Sequence, residues 1–122
     1  MKLFRKFRKP KAIPSYGEPI APTVVIQYRE LTDAIAAMAE VFSDSMTATQ
    51  VGPSFCCGEA DKIARVLALA GHADAATRWL DGHSLVDEPG DLHFVEDEGP
   101  FSRDHVMTRA EIAEYVQDVI AA

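Results

Sequence analysis

The feature that most constrains this 122-residue chain is a tight glycine turn joining two amphipathic runs, within residues 56–83. In the first run Ile63, Ala64, Leu67 and Ala70 recur at helical spacing, and in the second Ala76, Trp79 and Leu80 do the same. Gly71 stands between them, where a helix ends because one residue must turn left-handed. Helices this short are marginal in isolation, so their apolar stripes have to pack on each other and on further elements. The expectation is a helical hairpin at the centre of a small domain.

Other stretches supply the remaining layers. Cys56 occupies the capping position of the first hairpin helix and Glu59 lies three residues on, where a capping box places its acid. Asp61 is spaced to pair with Arg65, and Asp74 with Arg78. The second hairpin helix is expected to stop at Gly82, just before His83. Upstream, Thr32 is a suitable N-cap for a helix over residues 33–45, with a stripe of Ile35, Met38, Ala39 and Phe42. Residues 23–29 are rich in β-branched and aromatic side chains and read as a short strand, although their spacing equally fits an extension of that helix. Residues 46–55, around Gly52-Pro53, read as a polar loop, and residues 92–95 as a short strand. A full capping box from Thr108 to Glu111 opens the last helix, with Ile112, Tyr115, Val116, Val119 and Ile120 inward. The fold class is therefore mainly α, about four helices around one core with at most a small β element; α+β is the alternative.

Charge divides the chain. Lys2, Arg5, Lys6, Arg8, Lys9 and Lys11 supply half of the twelve basic side chains, and no acid precedes Glu18. The remaining 111 residues carry six basic and nineteen acidic groups, a formal −13. Four prolines, Pro10, Pro14, Pro19 and Pro22, oppose helix in residues 1–22, which read as an extended basic arm, with residues 23–122 as one domain. Phe4 and Phe7 alternate with the basic side chains, a pattern that suits stacking on bases, an anionic surface or an acidic protein face; the alternative is a disordered, solubilising tail. The acidic body repels those same anionic partners. No apolar run approaches the ~18 residues that cross a bilayer, and no apolar stretch succeeds the basic residues as in a secretory signal. The adjacent Cys56 and Cys57 do not make a disulfide framework, so a reducing, cytoplasmic setting is expected.

Histidines and acids supply the candidate chemistry. Gly71-His72 and Gly82-His83 repeat one arrangement, but a helix over residues 73–81 holds the two rings on the order of 12–16 Å apart, too far to share an ion. Each then reads as a cap on exposed carbonyls at a helix's negative end. A better metal set is His83, Asp87, Asp91 and His93, all on one loop, with nitrogen and oxygen donors suited to zinc, manganese or iron. The alternative is a solvated acidic loop. Cys56 or Cys57, at a helix N-terminus, is open to a nucleophilic role with a histidine or to a role as a small buried apolar group. No phosphate-binding glycine loop, GxSxG elbow or HExxH occurs. The second hairpin helix offers Asp74, Thr77, Arg78 and Asp81, a net negative set unsuited to reading DNA as a helix-turn-helix.

The run from Gly58 through Glu59-Ala60-Asp61, Leu67, Ala70-Gly71-His72, Asp74-Ala75-Ala76, Trp79-Leu80 and Gly82-His83, with Gly90-Asp91-Leu92-His93, resembles small uncharacterised proteins of actinobacteria and their phages. Those share an EAD…LAxxLxxAGHxDAAxxWLxGH…GDxH pattern. The resemblance covers about a third of the chain and implies a lineage without an activity; the arm and the cysteine pair lie outside it.

Three functions are compatible with these features. The leading expectation is a non-enzymatic accessory protein, phage-encoded in lineage, that binds a host or phage protein, with nucleic acid or an anionic surface as other targets of the arm. No cofactor is required by this reading. The second is a metal-binding module or small metal-dependent hydrolase on the His83–His93 loop. The third is a structural virion or assembly component.

Overall fold

The computed structural model describes residues 27–97, 99–101 and 103–122. The basic arm, with Lys2, Phe4, Arg5, Lys6, Phe7, Arg8, Lys9 and Lys11, and the first part of the candidate strand at residues 23–26 lie outside the described residues. The chain divides into Met1–Leu31 and Thr32–Ala122. In the first, the described residues are the opening of helix α1, Tyr28–Phe42. The second holds the core.

Five α-helices occur among the described residues, with one two-stranded sheet, so the chain is mainly helical. After α1 come α2, Ser45–Val51, and a 3-10 turn, Gly52–Ser54. The hairpin is α3, Cys57–Leu69, and α4, Ala73–His83, followed by a 3-10 turn at Ser84–Val86. Strands β1, Phe94–Val95, and β2, His105–Val106, pair antiparallel, with Phe94 opposite Val106. Helix α5, Arg109–Tyr115, runs on into a π turn at Val116–Ile120.

The hairpin turn follows from Gly71, whose φ of +95° only glycine adopts without strain. The amide of His72 donates to Leu67 O and that of Gly71 to Ala68 O, which is the Schellman ending. Trp79 sits at the centre of the core, fully buried with Leu67, Leu80, Ile112 and Val116. Its indole N–H donates to Ala60 O at 3.0 Å, and Phe42 and Phe55 meet its ring edge-on at centroid distances of 5.0 and 5.5 Å. Each such large side chain contributes about 1.5–3 kcal/mol on burial, and the satisfied indole N–H avoids the penalty of an orphaned donor.

The structure corrects several sequence expectations. Thr32 does not cap a helix; it lies inside α1, which begins at Tyr28, so from that point the helix-extension reading of residues 23–29 holds. Residues 46–55 are not a loop. Asp44 caps α2 by accepting from the Thr47 amide at 3.0 Å, and Pro53, with φ already set, suits the first positions of the 3-10 turn. Gly82 does not end α4 but lies within it, where a Cβ would meet the Ala48 backbone at 2.5 Å. The glycine is what lets α2 and α4 touch. Asp61 does not pair with Arg65, whose guanidinium donates instead to Ile120 O at 3.0 Å. Val119 is not inward; it is 55% exposed, since the π turn widens the last helical turn and rotates it out of phase. The strand at residues 92–95 shortens to Phe94–Val95 and finds a partner, His105–Val106, too short to give a period-two signal.

Candidate metal centre

Three elements deliver the site. The first turn of α3 carries Cys57 and, one turn on, Asp61 on the same face. The end of α4 carries His83, and the 3-10 turn after it places Asp87 beside that ring. Gly90, with φ +100°, then reverses the chain, and the Asp91 carboxylate accepts from the Glu88 amide at 2.7 Å, closing the turn that returns His93 inward. The Met107 amide donates to His93 O at 2.9 Å, extending the β1–β2 ladder to pin that residue.

Cys57, His83, Asp87 and His93 each present one donor atom, and the four atoms lie within 4.8 Å of one another. Donors held 2.0–2.3 Å from one zinc ion sit about 3.3–3.8 Å apart, so a contraction of at most about 1–1.5 Å would suffice. Both imidazoles are enclosed, with His83 at 2% exposure and His93 at 0%. Their rings stand perpendicular at a centroid distance of 5.2 Å.

Hydrogen bonding orients the nitrogens. His83 Nδ1 lies 2.8 Å from Gly52 O, and a carbonyl only accepts, so Nδ1 carries a proton and, in the neutral ring, Nε2 holds the lone pair. That Nε2 is buried without a hydrogen-bond partner and lies 3.8 Å from Asp87 Oδ1, too far to bond. A lone pair therefore faces a carboxylate. His93 meets carboxylates on both sides, Asp87 Oδ2 at 3.2 Å from Nδ1 and Asp61 Oδ1 at 2.8 Å from Nε2. A neutral imidazole has one N–H for the two. Donated to Asp61, it leaves Nδ1 facing Asp87 as a second inward lone pair. The Tyr115 hydroxyl donates to Asp61 Oδ2 and so holds that carboxylate in place. Burial first, then the hydrogen bond to Asp61, raises the Tyr115 pKa well above its ordinary value, which keeps the phenol a donor.

The Cys57 thiol lies 3.5 Å from Asp87 Oδ2. Burial raises its pKa, and the charges of Asp87 and Asp91 raise it further against a lowering contact with the Leu92 backbone. A nucleophilic cysteine needs the opposite shift, so a nucleophile reading of Cys57 has no electrostatic support. A cation among the four groups reverses the local field and favours thiolate.

Of the four loop residues expected as ligands, His83, Asp87 and His93 come together, whereas the Asp91 carboxylate closes its own turn and is not among the four. Cys57 takes the remaining place. The signal for it in the sequence was its i, i+4 spacing to Asp61, which puts both on one helix face; nothing local tied that face to a distant loop. His72 is not in the cluster, and His83 does not cap its own helix but binds the carbonyl of Gly52. No protein-family profile, curated protein or solved structure matches the chain.

Proposed function

We propose that this protein is a metal-binding module whose centre is Cys57, His83, Asp87 and His93. One thiolate, two imidazoles and one carboxylate suit zinc, with iron(II) or cobalt(II) as substitutes, and disfavour magnesium and calcium, which take oxygen ligands. The observation that carries the reading is the buried His83 Nε2, unpartnered and turned toward Asp87. Leaving a buried polar nitrogen unpaired costs about 1–3 kcal/mol, and a cation between the two groups removes that cost. The outer contacts, Gly52 O on His83 and Asp61 with Tyr115 on His93, have the form that fixes tautomer and ring orientation around a metal.

Metal analysis of the purified protein tests this. The expected content is one zinc per chain, lost in Cys57→Ser and in His93→Gln, and retained in Cys56→Ser, whose exposed thiol is outside the cluster. Metal-free protein that also fails to take up zinc in equilibrium dialysis would refute the reading.

A further inference from the structure

A cavity of about 320 Å3 opens against the same centre. Cys57, His83 and Asp87 line it, while His93, on the far side, is fully enclosed and backed by Asp61. An ion held by the four groups thus has a closed inner side at His93 and an outer side toward the cavity. Zinc sites with an open side sometimes expand from four to five ligands.

The walls define the ligand. Phe55, Val86 and Leu92 are apolar, and Val86 and Leu92 are exposed at 61% and 53%, more than such side chains usually are in a closed wall. The charged side chains facing the cavity are Asp87 and Asp91, and none of the described lining residues is Lys or Arg. A zinc ion with one thiolate and one carboxylate is formally neutral, so nothing in the cavity attracts an anion. We propose that the metal keeps a coordination position open to this cavity, and that it takes a small uncharged molecule presenting a nitrogen or sulfur donor from an apolar body. The donor's lone pair forms one dative bond to the metal, with no bond broken and no change of oxidation state, and the body lies between Val86 and Leu92.

This proposal rests on the metal-binding reading, and cobalt substitution separates the two. Cobalt(II) bound through a thiolate gives visible bands; their absence refutes the centre itself. With bands present, 4-phenylimidazole is titrated in, with benzoate as an anionic probe of similar shape. Saturable band shifts with 4-phenylimidazole, and at least tenfold weaker ones with benzoate, are expected, tenfold being about 1.4 kcal/mol of discrimination. Leu92→Trp, which enlarges one wall of the cavity and leaves the four ligand side chains in place, is expected to keep the cobalt bands and weaken 4-phenylimidazole binding roughly tenfold. Bands indifferent to both probes overturn the open position. Equal response to both overturns the assignment to uncharged ligands.

Discussion

His72 and His83 each come directly after a glycine, yet they end in different surroundings, and the glycines explain why. Gly71 has a positive φ and open space where a Cβ would be, so it is there for conformation, and His72 simply follows it out of the helix. Gly82 has ordinary helical geometry and no room at all, since its Cβ would meet Ala48 C and Cβ at 2.5 Å. It is there for close approach, which lets the helix run one residue further and bury His83. A sequence does not distinguish these two uses of glycine, because the difference lies in an element, α2, that the polar residues 46–55 concealed. Substitution does. Gly82→Ala forces α2 and α4 apart and is expected to cost on the order of 1–3 kcal/mol as an overpacked contact. Gly58→Ala, in the first turn of α3 with nothing within 4 Å, is expected to stabilise by roughly 0.5–1 kcal/mol as a strain-free replacement in a helix. Urea unfolding of the two variants checks this; a Gly82→Ala variant no less stable than the parent would contradict the contact between Gly82 and Ala48.

At the scale of elements, the hairpin and the last helix were legible because their signals are local: a stripe, a capping box, a glycine ending. The capping box at α5 forms as its residues predict, with Thr108 Oγ1 accepting from the Glu111 amide at 3.2 Å and Glu111 Oε1 accepting from the Thr108 amide at 2.9 Å. The sequence did not reveal the third member, His105 on β2, whose Nε2 lies 2.8 Å from the same Glu111 oxygen. Two-residue strands leave no periodic trace, so His105 had no register from which to be placed. This linkage makes the junction of β2 and α5 dependent on pH. The Arg103 carbonyl, then Glu111, raises the His105 pKa above its ordinary value. The Thr108 amide, then His105, lowers that of Glu111. The histidine's stabilisation is complete below its unfolded pKa, near 6.5, and is lost as pH rises through the raised folded value. The glutamate's is present above its unfolded value, about 4.5, and is lost as pH falls through its lowered one. The pair therefore contributes most between those limits. The melting-temperature gap between the parent and His105→Gln should be wider at pH 5.5 than at pH 8.5. An equal gap at both values would exclude the His105–Glu111 contact in solution.

Across the whole molecule, the apolar core and the metal centre hold different parts of the chain. The core gathers α1 to α5 around Trp79, and six of its twelve buried members are alanines, which contribute little area each. Among the described residues from Ser84 to Met107 there is much less of that core: one two-residue ladder, turns closed by single carboxylates, and exposed Leu85, Val86 and Leu92. His83, Asp87 and His93 reach inward from that side to Cys57. An ion there ties the segment to the hairpin, so its removal should act in two steps of different size. Locally, the amides of Phe94 and Met107, bonded to Asp91 O and His93 O, should lose protection from hydrogen exchange, whereas helical amides next to Trp79 should keep most of theirs. Globally, free zinc at a thousand times Kd adds about 4 kcal/mol to the folded state, which for a domain this size raises Tm by about 15–30 °C. Exchange measured with and without chelator, alongside melts followed through the single tryptophan over a series of buffered zinc concentrations, reads both. A Tm that climbs with the logarithm of free zinc, together with protection lost first between Ser84 and Met107, is the expected pattern. Unchanged exchange in that segment, or a Tm indifferent to zinc, would mean that the apolar core alone holds the loop and that the four converging side chains do no structural work.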